Sequence, residues 1–140
     1  MSVSVDIVSE PDVRALYAEI QKVFGRSADV LINNAGAKAG EGFLGDVVWD
    51  EFTRVVNTHF LGAALMARYF VSTQAHPKDP VGTIVYITSG IGGMMLPGAA
   101  SYSIAKLAGQ RLMEYMDAEC VPPSAAVRLP SCFGACAWEG

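Results

Sequence analysis

The chain has 140 residues, 51% of them hydrophobic and 17% charged, with a formal net charge of −4. That length suits one domain able to bury a sizeable core. A mildly acidic chain has no general attraction for phosphate backbones, which argues against nucleic acid as a partner. No segment has the ~18–20 consecutive apolar residues that cross a bilayer. The first residues, Met1 to Asp6, lack the basic region and apolar stretch of a secretory signal, so a cytoplasmic location is expected. Cys120, Cys132 and Cys136 are odd in number, with no histidine after them at a zinc-binding spacing. They read as free thiols in apolar surroundings, and no metal site is expected.

In chain order, Val3 to Val8 reads as a short strand with β-branched residues on alternate positions. Ser9 then caps a helix with Asp12 three residues on and Pro11 in the first turn. Its apolar stripe is Val13, Leu16, Tyr17, Ile20, Val23 and Phe24, and Gly25 ends it. Asp29 to Ile32 is a second strand, apolar without alternation, which suits cover on both faces. It leads into Asn33-Asn34-Ala35-Gly36 and a glycine-rich loop from Ala37 to Asp46.

A long helix is predicted from about Val48 to Ser72, with Phe52, Val56, His59, Ala63, Met66 and Phe70 on one face. The Ala75–Pro80 stretch breaks it. Thr83 to Thr88 is a third buried strand, Ser89 to Gly98 a loop, and Ser101 to about Glu119 a third main helix. Val121-Pro122-Pro123 stops that helix, and Ala125 to Leu129 reads as a fourth strand. Strands alternating with helices predict an α/β fold, a Rossmann-like doubly wound parallel sheet of about four strands. Ligands in such sheets bind beyond the carboxyl ends of the strands. Here those ends are Asp6 to Val8, Asn33 to Gly36, Thr88 to Gly90, and Pro130.

The chemistry concentrates in Ser89 and in Tyr102-Ser103-Ile104-Ala105-Lys106. Four residues apart on a helix, Tyr102 and Lys106 share one face. A tyrosine ordinarily holds its proton to about pH 10, and a fixed ammonium beside it favours the phenolate. Such a pair can act as acid and base towards a carbonyl or an alcohol. Ser89, ending the preceding strand, can hydrogen-bond the same substrate oxygen. The Tyr-x-x-x-Lys spacing alone fits a solvated helix face equally well.

The combination is more specific. Asn33-Asn34-Ala35-Gly36 after a strand, Ser89 thirteen positions before Tyr102, and Tyr-x-x-x-Lys on the next helix resemble the short-chain dehydrogenase/reductase superfamily, from about Val3 to Leu129. The resemblance implies an oxidoreductase that interconverts an alcohol and a carbonyl with NAD or NADP. Tyr102 would exchange the proton with the substrate oxygen. Lys106 would favour the phenolate and hold the nicotinamide ribose, and Ser89 would orient the substrate. Asn34, Ala35 and Gly36 would border the adenosine half of the cofactor, and Asp6, with Ile7 beside it, would reach the adenine amino group. The partners implied are a small-molecule substrate and, for a full-length form, a second copy in a homodimer or homotetramer.

Two positions depart from the family pattern. The usual helix asparagine, three residues before a glycine, aligns with His59 when Gly62 is fixed, and Asn57 is the alternative. An imidazole can carry the same proton relay. Pro130 matches the family's Pro-Gly turn beside the nicotinamide, but Ser131 replaces the glycine and its freedom to take positive φ. Nothing before Asp6 resembles the Thr-Gly-x-x-x-Gly-x-Gly turn that cradles the pyrophosphate. Residues 1–140 are therefore expected to form a partial nucleotide-binding domain, with an exposed sheet edge and marginal stability. The alternative is an inactive remnant that interacts through helices, using Phe60, Leu61, Leu65, Met113 and Met116, residues that read equally well as core. A P-loop enzyme would need a Gly-Lys-Ser/Thr signature, which the sequence lacks.

Overall fold

A computed structural model of the chain describes residues 1–38, 42–73 and 82–120. In chain order these form α1 (Glu10–Phe24), β1 (Val30–Asn33), α2 (Trp49–Val56), a π-helical segment (Asn57–Gly62), α3 (Ala63–Thr73), β2 (Thr83–Tyr86), a 3-10 turn (Gly90–Gly93) and α4 (Ala100–Cys120).

α1 begins and ends where its capping residues direct. The Ser9 hydroxyl accepts from the Asp12 N–H at 3.5 Å, and Glu10 and Asp12 place negative charge at the positive end of the helix dipole. Gly25 takes φ 67, a left-handed conformation that suits glycine, and returns its N–H to the Gln21 carbonyl. Between these caps Val13 and Tyr17 face inward and meet Leu31 of β1 and Ala67 and Phe70 of α3. The Tyr17 hydroxyl donates to the Met66 carbonyl at 2.9 Å, so its polar end is satisfied inside the core. On the surface the Glu10 carboxylate accepts from Arg68 at 2.8 Å and Tyr69 at 3.0 Å, joining the same two helices.

The two strands run parallel, with Val30 opposite Thr83 and Asn33 opposite Tyr86. A parallel pair needs a crossover, and α2, the π segment and α3 lie on it. Met113 and Met116 of α4 pack on the same core as α1 and α3. Leu31 and Asn33 of β1 point into that core and are buried, whereas Val30 is 53% and Ile32 61% exposed.

Three expectations change. Residues Val3 to Val8 do not form a strand, because a strand needs a neighbouring backbone and the sheet of the described residues contains only β1 and β2. Instead Asp6 closes a turn, its carboxylate accepting from Val8 N at 3.1 Å and its carbonyl from Ser9 N at 3.1 Å. The apolar run at β1 is covered on one face rather than two, so the doubly wound arrangement reduces to one helical layer on a two-stranded sheet among the described residues. The long helix spans its expected range but widens into π geometry at Asn57–Gly62, a local change that a 3.6-residue periodicity does not signal. The predicted strand Ala125–Leu129, Pro130, and Cys132 and Cys136 lie outside the described residues.

Candidate active site

Three segments converge at the carboxyl edge of the sheet. β1 leads into Asn34–Ala37, β2 leads through Ile87–Ser89 into the 3-10 turn, and the first turns of α4 carry Tyr102 and Lys106. The π segment brings in His59.

His59 and Tyr102 meet edge to face, with ring centroids 4.9 Å apart and an interplanar angle of 88°. Lys106 is buried, and burial of an ammonium is costly without compensating polar contacts. Its Nζ donates to the Ile87 carbonyl at 2.6 Å and lies 5.5 Å from the Tyr102 ring centroid and 5.3 Å from that of Tyr86. Tyr102, Lys106 and His59 are thus brought together.

The His59 ring is fixed by backbone. Its Nε2 lies 3.0 Å from Ala37 N and 2.9 Å from Ala37 O, accepting from the first or donating to the second according to tautomer. Nδ1 is buried and has no hydrogen-bond partner among the described residues. Burial pushes the imidazole below its usual 6.5; the Ala37 backbone contact opposes this, and the Lys106 ammonium reinforces it. The ring leaves no room beside Gly36, where an added Cβ would be driven into the imidazole. Asn57, the alternative to His59, is exposed.

Ser89 stands at the start of the 3-10 turn, where its hydroxyl accepts from Ile91 N at 3.4 Å. Its link to α4 runs through Ser103, whose hydroxyl lies 2.9 Å from Ile91 O and 3.2 Å from Met94 O and so holds the turn against the helix. No hydrogen bond joins Ser89 to Tyr102 among the described residues. The exposed Asp6 is engaged in its own turn, and Ile7 packs against Gly62 of the π segment so closely that a Cβ there would collide with it. Asn34, Ala35 and Gly36 lie exposed along the edge beyond β1.

Two residues with evident structural work here were not singled out by the sequence. Ser103 lies between Tyr102 and Lys106 with no role that its spacing signals. Tyr86 read only as part of a buried strand, although a phenol ending such a strand must find a polar partner. Its hydroxyl donates to the His59 carbonyl at 3.1 Å. Burial, with the Tyr102 phenol adding to it, pushes Tyr86 up to about 12.

A parallel two-stranded sheet under one helical layer, with a tyrosine, a lysine and a histidine gathered at its carboxyl edge, defines a partial Rossmann-like α/β fold. The family model for short chain dehydrogenases matches residues 1–132, and the chain belongs to that family. A short chain dehydrogenase of Aspergillus terreus is 31% identical over 123 residues, covering 87% of this chain and 27% of the relative. The crystal structure of an NAD+-bound xylitol dehydrogenase matches with a TM-score of 0.77 and 27% identity, over 84% of this chain and 44% of that one. A short chain dehydrogenase from Mycobacterium smegmatis matches with a TM-score of 0.77 and 27% identity, over 84% and 47%. The chain spans less than half the length of these relatives.

Proposed function

We propose that the protein carrying this sequence is an NAD(P)-dependent oxidoreductase that interconverts an alcohol and a carbonyl, with Tyr102 as proton donor and acceptor. The observation that carries the reading is the meeting of the Tyr102 ring with the His59 imidazole at 4.9 Å and the Lys106 ammonium at 5.5 Å. A nicotinamide cofactor, NAD or NADP, would supply or accept the hydride. The exposed backbone of Asn34–Gly36 and the Tyr102–Lys106 pair suit its adenosine and nicotinamide-ribose portions. Asp6 and Ile7 would border the adenine, and Pro130 the nicotinamide. A pyrophosphate-cradling glycine turn is not among the described residues, so the proposal concerns the whole protein rather than residues 1–140 alone.

In the reduction direction the Tyr102 hydroxyl gives its proton to the carbonyl oxygen, and in oxidation the phenolate takes it back. Lys106 would hold the nicotinamide ribose, Ser89 orients the substrate oxygen, and His59 would carry the proton relay. The same reading includes a cytoplasmic location and pairing with a second copy through the exposed Leu61, Ile104, Leu107 and Tyr115. Of the residues considered for a helix-mediated module, Leu65, Met113 and Met116 pack on the core instead.

The test is Tyr102→Phe in the full-length protein. Turnover should fall by about 10²–10⁴-fold, with NADH or NADPH affinity, read by fluorescence titration, largely retained. Unchanged turnover would sink the mechanism.

A further inference from the structure

Asn33 and Tyr86 are partners in register at the carboxyl ends of β1 and β2. Each sends one donor to a backbone carbonyl of the crossover helix: Asn33 Nδ2 to Ala63 at 3.3 Å, and the Tyr86 hydroxyl to His59 at 3.1 Å. The two carbonyls fall within the π segment and directly after it, where the regular i→i−4 ladder gives way to wider turns. The end of the sheet therefore grips the helix at the place where its geometry changes, and His59 sits in that grip.

Tyr86 does more than Asn33. Its ring face lies under the Lys106 ammonium, 5.3 Å from the centroid, while its hydroxyl holds the residue that presses on Tyr102. Its seat against α4 is cleared by Gly109, where any Cβ would occupy the space of the Tyr86 phenol. One side chain thus touches two of the three groups gathered at the sheet edge without any role in proton transfer being assigned to it. We propose that Tyr86 is a positioning residue, whose hydroxyl fixes the His59 main chain and whose ring seats the Lys106 ammonium, so that both are held in place against Tyr102. The inference rests on the functional reading above for its catalytic consequence, but the clamp itself is a matter of geometry.

Tyr86→Phe keeps the ring and removes the hydroxyl. In the 140-residue chain, with His76→Gln leaving His59 as the one imidazole, the nuclear Overhauser effect between the His59 and Tyr102 rings should weaken severalfold. The contact of the Lys106 side chain with the ring at position 86 should persist. A thermal melt reports whether the variant is folded. Independently of any substitution, the Tyr86 hydroxyl proton of the unsubstituted chain should exchange slowly and show an Overhauser effect to amide protons of Asn57–Gly62. In the full-length enzyme Tyr86→Phe should lower kcat about 10–100-fold with cofactor KM unchanged, the penalty of slight misplacement. An undiminished His59–Tyr102 effect in folded Tyr86→Phe, or a fast-exchanging hydroxyl in the unsubstituted chain, overturns the clamp whatever the kinetics. Failure of Tyr102→Phe to reduce turnover overturns the catalytic reading and leaves the clamp standing.

Discussion

At the scale of single residues the determining feature is a histidine placed where protonation is disfavoured. His59 is buried, its Nδ1 lacks a partner among the described residues, and an ammonium stands nearby. Its proton affinity in the folded chain is therefore below the usual 6.5, which an unfolded chain restores. On acidification the unfolded state takes up its proton first, so the stabilisation is complete above that value and is lost as pH falls through it towards the folded value. The unfolding midpoint should accordingly decline between pH 7 and pH 5, and His59→Gln should flatten the profile in that window. An unchanged slope in His59→Gln would show that other groups are responsible. Glu10 does not compete there: the Tyr69 hydrogen bond and the Arg68 guanidinium hold its carboxyl below 4.5, so it acts at more acid pH. The sequence could place His59 on the inner face of its helix, because the apolar stripe passes through it. It could not show that Ala37 and Tyr86 would fix the ring and its main chain, since those contacts join positions 22 and 27 residues away.

At the scale of elements, helices were legible and strands less so. The stripe of α1 and its Ser9 and Gly25 caps are local, and they set the helix within a residue of its observed limits. A strand depends on a backbone that the local pattern does not contain, which is why Val3–Val8 has the composition of a strand without its pairing. The π segment was illegible for a related reason: the His59 carbonyl within it and the Ala63 carbonyl directly after it meet donors on β2 and β1, remote in sequence. What holds the layer together is burial at the α1–α3–β1 junction, where Phe70 is 2% exposed. Phe70→Ala should cost about 3–5 kcal/mol in urea unfolding. Phe24→Ala, at the exposed end of α1, should stay within about 0.5 kcal/mol. Similar losses in the two variants would mean that the junction is not the core it resembles.

At the scale of the molecule, the sheet carries apolar side chains on both faces but, among the described residues, helices on one. Val30 and Ile32 meet solvent in the 140-residue chain, and a parallel strand with an open apolar face invites association. Replacing both with threonine keeps β-branching and removes apolar surface. The double variant should bind less of a hydrophobic dye and sediment closer to a monomer, with stability changed by no more than about 0.5 kcal/mol per site. Undiminished association would place the sticky surface elsewhere. The junction between α1 and α3 also sets a timetable for synthesis. Tyr17 finds its acceptor 49 residues later, at Met66, and at about 5–20 residues per second a ribosome needs roughly 2–10 s to cover that interval. For that time the Val13–Tyr17 stripe is finished and can meet Leu31 of β1, but it lacks Ala67 and Phe70 of α3, which complete its cover. The nascent chain is then open to a chaperone, and slower decoding between residues 17 and 66 would prolong its vulnerability more than slower decoding after Phe70.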